Sequence, residues 1–308
     1  MEIVVVIPNY NSALLVQRAV EAMQRQQVPE GHSLQVVVAD DGSTDGSADA
    51  LSARFGSSIT LLRLPENRGR STTRNAGAAA CNGEILVFVD GDCVPPDNHF
   101  ISAHLAAFSG GADVSFGAIE TPGDGFWDRL QRDAAVWRKR RFEAGDLWTY
   151  TTQNVAVRRQ HFDRAGGFDP VFDRHGFEDR DLFVRLAQAG AKVCFSADAR
   201  VVHEDTITLA SVSRKQGAAG YHAAHLFRTR HPDIYRTMSY GRLDVTLRPW
   251  LKWVDALLWP VADRAMRAPS GWLEWRWLPF RLRVLTARAI YGLSYLHGTV
   301  QKRQENRS

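Results

Sequence analysis

The chain has 308 residues, 44% of them hydrophobic and 23% charged, with 38 Lys+Arg against 34 Asp+Glu. That composition rules out disorder as the main state, and the length suits one large domain or one domain with an extension. The three cysteines, Cys81, Cys93 and Cys194, are widely spaced, which argues against a disulfide framework or a structural zinc site and fits a reducing compartment. No apolar run approaches the ~18 residues of a spanning helix, and no secretory leader opens the chain, so a cytoplasmic location is expected. Charge is uneven. Residues 245–308 hold 11 basic and 4 acidic side chains and six of the nine tryptophans, whereas the first 244 hold 27 basic and 30 acidic.

Glu2 to Ile7 is a β-branched run of the kind buried on both faces of a parallel sheet. Pro8-Asn-Tyr-Asn11 ends it, and helical spacing follows from about Ser12 to Gln27. A strand from Leu34 to Ala39 ends in Asp40-Asp41-Gly42-Ser43, with Ser43 or Thr44 as the expected cap of a helix starting near Asp45. Strand Ile59–Leu64, helix Ser71–Ala80 and strand Glu84–Val89 continue the alternation. Beyond Pro95 the pattern gives a helix near Asn98–Phe108, a strand near Asp113–Ile119 and a long helix near Phe126–Glu143. A strand near Gln153–Val157, a helix near Asp179–Gln188 and a strand near Lys192–Ser196 follow. Val201-Val202 then leads to His203, and one helix is expected from Leu209 to Thr229. The alternation predicts an α/β fold with a mostly parallel sheet, whose ligand crevice lies at the carboxyl ends of the strands.

Polar clusters fall at those ends. Asp90-Gly91-Asp92 closes a buried strand, and two carboxylates one residue apart can share a hard divalent cation that bridges to phosphate oxygens. Gly91 is expected to turn the backbone and leave room for a ligand. Asp40 or Asp41 could accept hydrogen bonds from a nucleotide's base or ribose, or both could simply form a turn. Neither Gly-x-Gly-x-x-Gly nor a Walker A loop is present, so phosphate would be handled by metal and side chains.

In order, Ile7-Pro-Asn-Tyr-Asn11, Asp40-Asp-Gly-Ser-Thr-Asp45, Asn67-Arg-Gly69, Arg74-Asn-Ala-Gly77, Asp90-Gly-Asp92 and Gly176-Phe-Glu-Asp-Arg-Asp181 resemble the motifs of family-2 inverting glycosyltransferases of the GT-A fold. The resemblance covers about residues 1 to 205. It implies a Rossmann-like, mostly parallel sheet flanked by helices, and transfer of a sugar from a nucleoside diphosphate donor to an acceptor hydroxyl with Mn²⁺ or Mg²⁺. It places Pro8, Tyr10 and Asn11 around the base, and Asp41, with Asp40 beside it, at the base or ribose. Arg74 falls near the donor phosphates, and Asp90 faces the ribose or the sugar. Asp92 and His203 become metal ligands. Glu178 and Asp179 lie near the acceptor, with Asp179 as general base. Each has a plainer alternative: a helix-start acid for Asp179 or Asp181, a structural histidine for His203, an ion pair with a surface acid for Arg74. Trp137 and Trp148 are read as core rings rather than sugar platforms.

Elementary chemistry asks for the same kit. An acceptor hydroxyl is a poor nucleophile and needs a carboxylate within reach. The departing diphosphate gains charge, which a divalent cation and a cationic side chain offset. A UDP-sugar is the expected donor and a glycan or lipid-linked glycan the expected acceptor. The processive Gln-x-x-Arg-Trp pattern is absent, so one sugar per encounter is expected. The rival classes are a non-catalytic sugar-nucleotide or glycan-binding protein and a sugar-1-phosphate nucleotidyltransferase.

Residues 1–240 are read as the catalytic domain and 241–308 as a helical, basic, Trp-rich extension outside the resemblance. Leu282, Leu285, Ala289, Leu293 and Leu296 are expected to form one apolar stripe, with Arg281 and Arg288 away from it. Such a segment suits the inner face of the cell membrane, as a peripheral contact. The competing reading is packing on the catalytic domain or on a second subunit of a homo-oligomer. No motif supports a nucleic-acid partner.

Overall fold

The structure, a computed structural model, describes residues 1–146, 149–268 and 270–305. It divides into two compact units. The first comprises Met1–Pro122, Gln131–Asp173 and Asp179–Asp205; the second comprises Gly123–Leu130, Arg174–Glu178 and Thr206–Ser308.

The first unit is built from β1 (Glu2–Asn9), α1 (Ala13–Gln24), β2 (Ser33–Asp40), α2 (Ser47–Phe55), β3 (Thr60–Arg63), α3 (Arg70–Ala79), β4 (Ile85–Val89), β5 (Cys93–Val94), α4 (Phe100–Ser109) and β6 (Val114–Glu120). Most of α5 (Phe126–Glu143) follows, then β7 (Asn154–Arg158), α6 (Arg159–Arg164), α7 (Glu178–Gln188) from its second residue, and β8 (Val193–His203). The eight strands form one sheet in the order β3-β2-β1-β4-β7-β6-β8-β5. As expected it is mostly parallel. Strand β7 runs against both neighbours, and β5 runs against β8.

The continuous apolar strands are explained by a core on each face. In β1, Ile3, Val5 and Ile7 enter one core while Val4 and Val6 enter the other. In β4, Ile85, Val87 and Val89 divide from Leu86 and Phe88 in the same way. With side chains alternating at period two, every position of such a strand must be apolar.

Three local expectations are corrected. Neither Ser43 nor Thr44 caps α2; Gly46 holds that position, and Asp45 accepts from the Ser47 N–H instead. The segment from Val193 to His203 is one strand, in which a register shift opposite Gly117/Ala118 leaves residues 197–199 without partners on β6. Asn154 ties the shift down by donating to the Ala118 and Ala199 carbonyls, both at 2.9 Å. The expected helix from Leu209 to Thr229 is interrupted by a π turn at Ala219–Ala223.

The second unit holds α8 (Leu209–Ala218), α9 (Ala224–Arg230), α10 (Pro232–Thr237), α11 (Ser239–Arg242), α12 (Leu251–Arg267) and α13 (Phe280–Glu305). A reciprocal capping box between Thr208 and Ser211 starts α8. One of its cores joins Phe126 and Leu130 to Leu209, Leu273, Ala287 and Ile290. Phe177 packs among Phe227, Tyr235 and Tyr240. Between α12 and α13, Trp259 stacks on His297 with centroids 3.9 Å apart, and Asp255 faces the same imidazole at 3.1 Å. The expected stripe on α13 is divided: Leu282, Leu285 and Ala289 are exposed, and Leu296 is buried. The buried face runs instead through Arg283, Ala287, Ile290 and Ser294. Arg283 can sit there because its guanidinium donates to the Leu273 carbonyl at 2.6 Å and lies over the Phe126 and Phe280 rings. No described helix is long and apolar enough to cross a membrane.

Candidate active site

The register of the first two strands sets Asn9 beside Asp40. Asn9 Nδ2 donates to Asp40 Oδ1 at 2.5 Å, and the Ser43 N–H and hydroxyl donate to the same carboxylate. Asn11, at φ +51°, accepts the Thr44 N–H, and its own N–H donates to Ser43 Oγ. The loops after β1 and β2 are thus laced together, with Pro8 half-buried and the Tyr10 ring exposed at their rim. Asp41 is buried and turned the other way, accepting the N–H groups of Arg68 and Gly69. Gly69 has φ +84° and ψ 161°, a region open essentially to glycine, and a Cβ there would lie 1.9 Å from the Asp173 carbonyl oxygen.

Arg74, on the inner face of α3, is buried. Its guanidinium donates to Asp90 Oδ1 at 2.7 Å and stands over the Phe168 ring at 5.4 Å. The first acid of Asp90-Gly-Asp92 is therefore a partner of Arg74. Gly91 lies in the turn between β4 and β5, as expected, and is closely packed: a Cβ there would come within 2.6 Å of Val16 Cγ2.

The short strand β5 pairs with the end of β8 so that Cys93 stands opposite His203, and the Glu204 N–H donates to the Asp92 carbonyl at 2.8 Å. This pairing brings Asp92 Oδ2 to 3.4 Å from His203 Nε2. Asp205 joins them, and one ligand atom from each of the three lies within 4.8 Å of the others. Burial disfavours the imidazolium of His203, but its bond to Asp92 and the charges of Asp92, Asp205 and Asp90 outweigh that and raise its pKa. A hole of negative charge around an imidazole, with His203 Nδ1 buried and lacking a hydrogen-bond partner, fits a divalent cation. Two carboxylates and one imidazole are a donor set that Mn²⁺ or Mg²⁺ accepts. Asp205 was not singled out in the sequence. Its spacing from His203, two residues along an extended segment, was the available signal, since such positions share a face.

Glu178 and Asp179 open α7. The Glu178 carboxylate accepts the Gly176 N–H at 2.8 Å, and Asp179 accepts the Arg180 N–H at 2.8 Å. Phe177 just before them has φ +67°, a costly conformation for a bulky side chain. Arg138 of α5 lies within electrostatic reach of Asp179; burial lowers its pKa, and Tyr150 and Asp179 oppose the shift. Arg138 also lines a cavity of about 260 Å³ with Ile119, Val136, Tyr150 and Phe195. Burial pushes the Tyr150 hydroxyl up to about 12, so it stays protonated there. Trp137 is 55% exposed with the Arg141 guanidinium over its ring, and so is not a core ring. Trp148 lies outside the described residues.

The model of "Glycosyl transferase family 2" matches residues 4–165, just over half the chain, and that of "Glycosyltransferase like family 2" matches 116–230. The chain belongs to glycosyl transferase family 2. The family-2 chain is 26% identical over 250 residues to the succinoglycan biosynthesis protein ExoO of Rhizobium meliloti, covering 80% of this chain and 66% of that protein. It is 29% identical over 247 residues to the pre-mycofactocin glycosyltransferase of Mycobacterium tuberculosis, covering 75% and 48%. It thus spans about half to two thirds of the length of these curated relatives. Among solved structures, it resembles the mannosyltransferase PcManGT from Pyrobaculum calidifontis in complex with GDP-Man and Mn²⁺. That likeness has a TM-score of 0.60 at 20% identity, over 99% of this chain and 88% of that one. S. aureus TarS 1-349 with UDP-GlcNAc gives a TM-score of 0.55 at 17% identity, over 99% and 92%. The family-2 chain therefore has a GT-A-like fold, with the helical C-terminal extension that its sequence led one to expect.

Proposed function

We propose that the chain is an inverting, metal-dependent glycosyltransferase that moves one sugar per encounter from a nucleoside diphosphate sugar to a hydroxyl of a glycan or lipid-linked glycan. The observation that carries this reading is the meeting of Asp92, His203 and Asp205 beside the Asp90–Arg74 pair, at the carboxyl ends of the strands. A UDP-sugar is the preferred donor.

In this reading the exposed Tyr10 ring, with Pro8 and Asn11, covers the base, and the Asp40 and Asp41 loops shape the base and ribose end. Arg74 acts through Asp90, holding that carboxylate aimed at the ribose or the sugar. Asp92, His203 and Asp205 would hold Mn²⁺ or Mg²⁺, which when bound supplies Lewis-acid stabilisation of the diphosphate leaving group. Asp179 takes the acceptor's hydroxyl proton as the oxygen attacks the anomeric carbon. The new carbon–oxygen bond forms as the bond to the diphosphate oxygen breaks, and the configuration inverts in that single displacement. Glu178, which accepts the Gly176 N–H, stands near the acceptor in this reading.

The test is nucleoside diphosphate release from UDP-, GDP- and dTDP-sugars with Mn²⁺, comparing the native chain with Asp179→Asn. Loss of a general base should cost about 10²–10⁴-fold in kcat. Unchanged turnover would remove Asp179 from the mechanism, and pyrophosphate as product would replace sugar transfer by nucleotidyl transfer.

A further inference from the structure

We propose that the outer face of α12, with the Trp275/Trp277 pair beyond it, seats the second unit on an anionic lipid surface. Helix α12 has two apolar faces. Leu251 and Ala262 on the inner face are buried. On the outer face Trp250, Trp253, Leu257 and Val261 recur at three- and four-residue spacing, so they line one side of the helix. They are 58%, 69%, 74% and 67% exposed. Trp275 and Trp277 stack on each other at 5.5 Å, and both are exposed. Large apolar residues concentrated in this way mark an interaction surface, because monomeric proteins rarely leave such a row open to water.

Charge and residue type identify the occupant. Lys252, Arg264 and Arg267 flank the stripe, and Arg248, Arg276, Arg281 and Arg288 are also exposed in the same unit. The nearby acids are spoken for: Asp255 is buried against His297, Asp263 pairs with Arg267, and Glu274 accepts the Phe126 N–H. Between residues 248 and 288 the exposed charge is thus mostly positive, with Glu274 as the exposed acid. Tryptophan favours the headgroup depth of a bilayer, and leucine and valine the start of the acyl region. Lysine and arginine beside them meet lipid phosphate, each contributing roughly fivefold to partitioning near an anionic leaflet. A second copy of the chain would bring the same positive charge to the face. No described helix is long and apolar enough to cross a membrane, and the proposed contact lies in the interface plane.

The test is co-sedimentation of the full chain with vesicles of phosphatidylcholine, alone or mixed with phosphatidylglycerol. Binding should require the anionic lipid, weaken with added salt, and shift tryptophan emission to the blue. The variant Trp250→Ser/Trp253→Ser/Leu257→Ser/Val261→Ser should bind at least tenfold more weakly while keeping the native circular dichroism. Lys252→Gln/Arg264→Gln/Arg267→Gln should lose about a hundredfold at low salt. Wild-type chain that ignores anionic vesicles overturns the proposal. So does binding unaffected by the four serines, or a dimer in light scattering that those serines dissolve in the absence of lipid.

Discussion

The residues around the cation-type cluster show how chain geometry, more than residue type, makes a site. Asp92 and His203 are 111 positions apart in the sequence, and the β5 ladder with the Glu204–Asp92 backbone bond brings them within 3.4 Å. Both were legible in the sequence, because an acid pair at a strand end and a histidine closing a strand sit where such sheets bind ligands. Asp205 was not singled out, since one acid after a strand looks like a polar loop residue and only its two-residue spacing from His203 marked it. Asp205→Asn should weaken Mn²⁺ binding by about tenfold or more, at least the cost of losing a supporting group. Calorimetric titration in the absence of donor checks this, and an unchanged affinity would leave Asp205 as a bystander. Arg74 was singled out in the sequence, but its contact with Asp90 was not. Burial forces a guanidinium to find an acid, and which acid depends on the turn at Gly91.

At the scale of elements, the apolar runs and helical spacings were readable because each periodicity records which faces are covered. What periodicity cannot record is pairing. The reversed direction of β7 and the offset in β8 depend on partners far along the chain. The offset is held by a buried network in which His104 donates from Nε2 to Asn154 and accepts at Nδ1 from Ser115. The tautomer follows from Asn154, whose amide nitrogen is committed to two carbonyls. Burial lowers the His104 pKa to about 4. Below the ordinary value of 6.5 the unfolded chain takes a proton that the folded chain refuses. Stability is therefore full above that pH and falls toward pH 4, by roughly 3 kcal/mol in all. Denaturant melts across this window should show the loss, and His104→Gln should flatten it. Loop 66–70 gives a second check. Gly69→Ala introduces both an unfavourable backbone region and a Cβ pressed on Asp173, and should cost at least about 2 kcal/mol in the same melts.

Over the whole molecule, the second unit is assembled from three separate stretches, and the tail beginning at Thr206 supplies only one of them. Phe126 and Leu130 depend on Leu209, Leu273 and Ile290 for cover, and Phe177 depends on Phe227 and Tyr235. A chain cut after Asp205 would expose all three upstream side chains. Their burial is worth about 1.5–3 kcal/mol each, so the shortened chain should aggregate, as size-exclusion chromatography would show. The composition shift near Val245 revealed that the tail differs. It did not reveal the two upstream stretches, because a few aromatic residues inside an amphipathic helix or a turn leave no compositional mark.

That interleaving also limits how the lineage can vary. A foreign C-terminal region joined at Thr206 would inherit Phe126, Leu130 and Phe177 as ready-made plugs and would have to supply sockets of matching shape. Hybrids between relatives should therefore work only when all three stretches are exchanged together, which makes the tail a poor cassette for recombination and ties its divergence to two short upstream passages.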